Sequence, residues 1–203
     1  CFLAVVPLLV VLLASLKTGD EFTSTGIFAP PANWLNFENY TTAFTRGRML
    51  QGFANTTIIL AVSLIGTIFT GTMAAYVLDR FEFRFKRLII GLFLLATLVP
   101  GVTTQVATFQ VVNFLGLFNT RLAAIVLFMG TDIISIYIFI QFLRSIPREL
   151  DEAAVMDGAS YFTIYRRIIL PLLKPAIATV VIIKGVAVYN EFYIPFLYMP
   201  KQA

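Results

Sequence analysis

Histidine is absent from the 203-residue sequence and cysteine occurs once. Without an imidazole and with a single thiol, Cys/His zinc sites, histidine-based triads, haem ligation through histidine and a disulfide within the chain are all excluded. No catalytic residue and no metal ligand is assigned. No Gly-x-x-x-x-Gly-Lys-Ser/Thr segment occurs either, so the chain has no phosphate loop with which to cradle ATP. Charge is scarce: Asp, Glu, Lys and Arg make up 13% of the residues, about half the ~25% of ordinary soluble domains. Hydrophobic residues make up 59% and the mean hydropathy is +0.86. That balance excludes a water-soluble domain and points to the bilayer as solvent. The net charge of +4 and pI near 9.3 are then read as membrane topology, and nucleic acid is set aside as a partner.

Uncharged runs extend from Met49 to Leu78 and from Leu88 to Thr120, both longer than the ~20 apolar residues that cross a bilayer. Hydropathy predicts five spans, at 1–17, 55–78, 88–109, 122–143 and 176–198. They are expected to be helices, because backbone groups in hydrocarbon must be satisfied within the segment and no alternating barrel pattern is present. The expected fold class is therefore all-α, a polytopic transmembrane helical bundle. Cys1 runs directly into apolar sequence and reads as a fragment boundary, with residues 1–17 a first span clipped at its front. The connections 79–87 and 144–175 carry Arg80, Arg84, Lys86, Arg87, Arg144, Arg148, Arg166, Arg167 and Lys174, nine of the fifteen basic residues, which places them on the cytoplasmic side. The segment 18–54, with Pro30, Pro31, Trp34 and Tyr40, is expected to be an ordered external loop, and the sequons at Asn39 within it and at Asn55 just beyond it are expected to go unused.

Within the spans, Ser63, Thr67, Thr70, Gly71, Ala74 and Ala75 form a stripe of small residues that allows another helix to approach closely. Pro100-Gly101 is expected to break the third apolar run. Beyond it, Thr103, Gln110 and Asn113 share one helical face, which suits either hydrogen bonding between helices or the lining of a wet path. In the last span, Tyr189, Asn190, Glu191 and Tyr193 combine aromatic faces with hydrogen-bonding groups, a mixture that suits sugars, while anchoring at the membrane interface is the competing reading. Asp132 falls near the centre of 122–143, and Lys184 lies about 14 Å into its span at the helical rise. A lone charge there costs about 2.5 to 3.5 kcal/mol on insertion scales, so pairing between them is expected if their helices adjoin, with Glu191 as a competing partner for Lys184.

The connection 144–175 is punctuated like two short helices. Pro147 suits a first turn, Glu149, Asp151 and Glu152 suit the positive end of a helix dipole, and Gly158 suits a left-handed stop. Ser160 then caps a second helix expected to run to about Leu170, where Pro171 and Pro175 hand the chain to the last span. Ala153 and Ala154 leave the first helix slim enough to enter a groove on a partner protein.

Glu152-Ala153-Ala154, Asp157-Gly158-Ala159, Ile169-Leu170-Pro171 and Pro175 resemble, in order and spacing, the EAA loop of ABC importer permeases. Softer matches at Ser15-Leu16-Lys17 and from Tyr189 to Pro195 resemble the carbohydrate branch, similar to the smaller subunit of maltose-type permeases, although that branch usually shows Trp where Tyr189 stands. The resemblance implies a type I ABC importer permease fold, with residues 1–203 one transmembrane permease domain truncated at both ends, five spans present and a sixth missing. It implies that 144–175 is the cytoplasmic coupling loop, in which Glu152, Ala153, Ala154, Asp157, Gly158, Ala159 and Pro171 serve ATPase coupling. The tentative substrate path is Gln110, Asn113, Tyr189, Asn190, Glu191 and Tyr193. The implied partners are a second homologous permease subunit, two cytoplasmic ABC ATPase subunits, an extracytoplasmic solute-binding protein and the lipid bilayer. No cofactor is expected on this chain, with ATP and Mg on the partner ATPase. The implied location is a bacterial or archaeal cytoplasmic membrane. The expected activity is passage of a sugar or oligosaccharide, the alternatives being another solute such as amino acids or peptides, or a scaffold that transports nothing.

Overall fold

The computed structural model describes residues 2–101, 103–130 and 132–201, and the regular structure among them is entirely helical. In chain order the helices are α1 (Phe2–Ser15), α2 (Gly19–Ser24), α3 (Glu38–Thr45), α4 (Met49–Arg80), α5 (Lys86–Leu98), α6 (Gln105–Phe114), α7 (Arg121–Met129), α8 (Ile133–Leu143) and α9 (Glu149–Met156). The chain continues through α10 (Tyr161–Ile164), a π-helical turn (Tyr165–Ile169), α11 (Leu170–Leu172), α12 (Lys174–Asn190) and α13 (Tyr193–Tyr198). Two compact units divide it, residues 1–54 and residues 55–203.

In the first unit the expected loop 18–54 is ordered by polar ties to the end of α1. Lys17, only 2% exposed, donates from Nζ to Thr25 Oγ1 at 2.9 Å and to the Gly26 carbonyl at 3.0 Å. Asn39 Nδ2 donates to the carbonyls of Ser15 and Lys17, at 3.0 and 2.7 Å. The Asn39 side chain of the first sequon is thus engaged, and Asn55 of the second is buried.

The core of the second unit joins α4 and α8 to the segment 146–180. Ala75, Tyr76, Phe139, Leu143, Ile164, Ile169, Leu173 and Val180 are among its buried members. Ser63, Thr67, Gly71 and Ala75, spaced by four, form the buried face of α4, whereas Thr70 of the expected stripe is exposed and Ala74 only half-buried. The small side chains matter because Phe139 fills the space beside them: a Cβ at Gly71 would stand 3.1 Å from Phe139 Cε2. Gly71→Val is therefore expected to cost about 1–3 kcal/mol by overpacking and to lower the thermal midpoint of the purified protein, while Gly91→Ala, inside α5 and with nothing within 4 Å of its new methyl, does not lower it.

Among the described residues two stretches are long and apolar enough to cross a bilayer on their own, α4 with 32 residues and Arg121–Leu143 with 23. A third crossing is formed if Tyr161–Leu172 and Lys174–Asn190 count together across their 68° bend. The expected spans at 1–17 and 88–109 correspond to shorter helices, α1 of 14 residues and α5 of 13. For α5 the reason is Pro100: the residue before a proline is driven out of the helical region, and Val99 is extended at φ −80°, ψ 116°. The span at 122–143 carries a break that periodicity did not predict, with Gly130 ending α7 and Asp132 opening α8. The span at 176–198 is likewise interrupted between Asn190 and Tyr193.

Candidate functional site

From Glu149 to residue 160 the connection 144–175 folds as its punctuation requires, whereas Pro147 stands just before the helix, outside the first turn expected for it, with Arg148 as the N-cap. Three acidic residues, Glu149, Asp151 and Glu152, occupy the first turn of α9, where the unpaired N–H groups carry partial positive charge. The helix stops in a Schellman motif: Gly158 adopts φ +79°, its N–H donates to the Val155 carbonyl at 2.9 Å, and the Ala159 N–H donates to the Ala154 carbonyl at 3.0 Å. Ser160 caps the next helix, its Oγ accepting from the Thr163 N–H at 3.3 Å. Ala154 packs into the core, whereas Glu152, Ala153, Asp157 and Gly158 are exposed, Met156 is 87% exposed and Ala159 is half-buried.

Pro171 departs from expectation. The second helix does not end at Leu170 but continues to Leu172, and the sharp bend falls at Leu173. A proline inside a helix lacks an N–H and crowds the carbonyl four residues earlier, here Arg167. The widened π turn at Tyr165–Ile169 absorbs that mismatch, so the helix passes through the proline. The same turn carries Tyr165, whose buried hydroxyl hydrogen-bonds Thr72 Oγ1 of α4 at 2.8 Å.

A second constellation joins the end of α4 to this connection. Arg80 Nη2 donates to the Ile146 carbonyl at 2.9 Å, and Arg80 Nε lies 2.9 Å from Asp151 Oδ2. Arg148 Nη2 donates to the Asp79 carbonyl at 2.9 Å, and Tyr76 hydroxyl reaches Asp151 Oδ1 at 3.5 Å. Arg80 and Asp79 side chains are only 6% and 7% exposed. Burial pushes the Asp151 carboxyl above its ordinary range, against the pull of Arg80. Phe81 closes the assembly with edge-on contacts to Tyr76 and Tyr161, at centroid distances of 5.7 and 5.0 Å. In the sequence Arg80 stands out only as a topology charge, and nothing singles out Asp79 or Tyr76. The available signal was an Asp-Arg pair at the end of a long uncharged run, too common at membrane boundaries to assign a partner.

The third feature lies within the spans. Lys184 Nζ donates to Asp132 Oδ2 at 2.8 Å, with side chains 9% and 23% exposed, so the charges expected to pair do so. Asp132 is not mid-helix: it caps α8, its Oδ1 accepting from the Ser135 N–H at 3.1 Å. One carboxylate thus meets a cation and a helix N-terminus at once. Glu191 does not take Lys184. Its Oε1 instead accepts from the N–H groups of Tyr193 and Ile194, at 2.9 and 3.3 Å, across the break before α13. Asp132, Ser135, Lys184, Glu191 and Phe128 share the wall of a cavity of about 390 Å³. A neighbouring cavity of about 340 Å³ also reaches Asp132 and is walled by Thr67, Thr70 and Gly71 of α4.

The remaining path candidates are dispersed. Gln110 and Asn113 are exposed on α6. Tyr189 hydroxyl bonds Thr57 Oγ1 at 2.8 Å, and Tyr193 hydroxyl donates to Gln105 Oε1 at 2.8 Å. Asn190 Nδ2 turns back to the Val186 carbonyl of its own helix. Of the tentative set only Glu191 reaches the larger cavity wall. Thr57 and Gln105 escaped sequence reading because single polar residues 132 and 88 positions away from their partners leave no local pattern.

Similarity to known proteins fits this architecture. The chain is 33% identical over 201 residues to the melibiose/raffinose/stachyose import permease protein MelC of Bacillus subtilis, covering 97% of this chain and 71% of that protein. It is 35% identical over 195 residues to the diacetylchitobiose uptake system permease protein NgcG of Streptomyces coelicolor, covering 95% of this chain and 64% of that one. The chain therefore spans roughly two thirds of the length of these relatives. In fold it superposes on a bacterial ABC transporter involved in the import of the acidic polysaccharide alginate, with a TM-score of 0.85 at 20% identity, over 99% of this chain and 70% of that one. Residues 67–200, which include the Schellman turn, the Arg80 cluster and the Asp132–Lys184 pair, match the binding-protein-dependent transport system inner membrane component, and the chain belongs to that family of multi-pass membrane proteins.

Proposed function

We propose that this chain is the membrane-spanning permease part of an ATP-driven, binding-protein-dependent importer of an oligosaccharide. The observation that carries the reading is the outward face of α9 and its glycine turn. Glu152, Ala153, Met156 and Asp157 stand exposed on a short helix whose opposite side is seated in the core through Ala154. An amphipathic helix held in this way can lay its free face in a groove of an ATPase subunit. In this reading the loops 79–87 and 144–175 face the cytoplasm, ATP and Mg bind the partner ATPases, and a second permease and a solute-binding protein complete the assembly. Alternating access then moves the helices as bodies around a polar path.

The oligosaccharide assignment draws on the sugars named for MelC and NgcG. Chemistry adds support. The 390 Å³ cavity combines an aromatic ring, Phe128, with two carboxylates, a hydroxyl and an ammonium, the mixture that stacks on a sugar face and binds its hydroxyls. The test is uptake by proteoliposomes holding the complete importer, with melibiose, raffinose and diacetylchitobiose as probes and amino acids and a tripeptide as controls. ATP-dependent uptake of a sugar alone is expected; uptake of only amino acids or peptide overturns the substrate class, and no ATP-dependent uptake of any probe overturns the importer reading.

Single cysteines on the path candidates provide a separate measurement. At Gln110, Asn113, Tyr189 and Tyr193 the side chains are exposed. A lining role predicts that a transported sugar slows labelling by a membrane-impermeant thiol reagent at least threefold at one or more of these positions. Equal labelling with and without sugar at all four assigns these residues to packing and the membrane interface.

A further inference from the structure

We infer that Arg80, acting through Asp151 and the Ile146 carbonyl, is a positioning residue that bolts the short helix α9 to the end of α4, so that the two move as a single lever. This rests on the coupling role proposed above and names the part of the chain to which the coupling helix is fixed.

Between the last residue of α8, Leu143, and the first of α9, Glu149, lie only Arg144, Ser145, Ile146, Pro147 and Arg148. Untied, that connector would be a hinge. A push on α9 would then be absorbed there, because α9 contributes a single buried residue, Ala154, to the core. The ties go instead to α4, 66 to 75 residues earlier in the chain: Arg80 to Ile146, Arg148 to Asp79, and Tyr76 to Asp151. They grip both sides of the connector as well as α9 itself. Arg80 is nearly buried between two carboxylates, Asp151 at 2.9 Å and its chain neighbour Asp79 at 3.4 Å, and of the two only Asp151 belongs to α9. Losing the Asp151 charge leaves the cation with Asp79 and removes its charged tie to α9. Arg144, 62% exposed and 3.7 Å from Asp79, adds little.

The lever has a far arm. From Arg80, α4 runs back without a break through Ala74, Gly71, Thr70 and Thr67, which wall the cavity beside Asp132. Thirteen residues of helix separate Arg80 from Thr67, about 20 Å at the helical rise. A displacement of α9 thus reaches a wall next to the buried ion pair through one rigid helix.

The test uses the complete importer with its partner permease, ATPases and binding protein, with raffinose as the transport probe. Spin labels at exposed Val77 of α4 and at exposed Val155 of α9, outside the face offered to the ATPase, in a background with Cys1 replaced, report the distance between the two helices in the nucleotide-free and the ATP-trapped states. In the parent the distance is expected to be the same in both states, with a narrow distribution. Asp151→Asn keeps the shape and removes the charge. It is expected to broaden that distribution and to lower the sugar transported per ATP hydrolysed about tenfold, the equivalent of ~1.4 kcal/mol. Asp151→Glu, which restores the carboxylate, is expected to recover most of the coupling. A parent distance that changes between states overturns the inference, as does an Asp151→Asn importer in which either the distance distribution or the transport per ATP is unaltered. An unlabelled parent complex that neither hydrolyses ATP nor takes up any sugar probe fails the proposed function instead, and the distance measurement on the same complex still tests the clamp.

Discussion

Lys184→Met is expected to be among the most damaging single substitutions in the chain. It strips the Asp132 carboxyl, inside a span, of its cation and leaves it the bond from the Ser135 N–H. Removing one partner of a buried ion pair costs about 3–5 kcal/mol, more than the pair itself contributes, because the survivor remains desolvated and unpaired. Asp132→Asn is the complementary change and a clean one. Asparagine is as good an N-cap as aspartate, so α8 keeps its first turn while the charge alone is lost, and Lys184 becomes the unpaired ion. Both single variants are expected to lower the thermal midpoint and the yield of assembled complex, and the double variant to recover a large part of both. A double-mutant cycle on the midpoint reads the coupling directly; strictly additive losses would mean that the 2.8 Å contact carries no energy. If the cavity is also a sugar subsite, the double variant recovers assembly without recovering uptake, which separates the pair's structural role from a transport role.

Gly158→Val is expected to abolish most coupling while leaving the chain inserted and folded. A Cβ at this position meets nothing within 4 Å, so the damage does not arise from crowding. It arises from the backbone: at φ +79° an L-residue strains against its own carbonyl, by roughly 1–2 kcal/mol and more for a β-branched side chain. The strain is relieved most easily by unwinding the Schellman turn. That frees the Ala154 and Val155 carbonyls and shifts the exposed end of α9 at Met156 and Asp157. Transport per ATP is expected to fall at least tenfold, the consequence of a displacement costing ~1.4 kcal/mol. Gly158→Asn, the residue after glycine that best tolerates this conformation, is expected to retain several times the coupling of the valine variant. Normal transport by a correctly inserted Gly158→Val protein would overturn the coupling assignment for this turn.

Local features of the candidate sites were legible because they depend on neighbours in sequence. Gly158 and Ser160 lie within a few residues of the groups they serve, and stop and cap chemistry has few alternatives. Pro171 was misread for an equally local reason with a different outcome: a proline ends a helix unless the helix widens to admit it, and the π turn at Tyr165–Ile169 is held by the tertiary bond from Tyr165 to Thr72 of α4. The break before Asp132 falls between Gly130 and Asp132, a glycine stop followed by an N-capping aspartate, which hydropathy averaged over a whole span passes over.

The sequence by itself determined the solvent, the helical class, the approximate position of the long apolar helices and the punctuation around α9. Each of these follows from composition or from contacts a few residues apart. Tertiary structure alone selected among the partners open to each charge: Asp132 and not Glu191 for Lys184, the backbone of α13 for Glu191, and Asp151 with Ile146, beside neighbouring Asp79, for Arg80. The physical reason is that a charge in a low-dielectric interior must be compensated, but the requirement is indifferent to which residue does it. Composition dictates that compensation occurs, and helix packing alone selects, from all the distant groups that would serve, the one that is close enough.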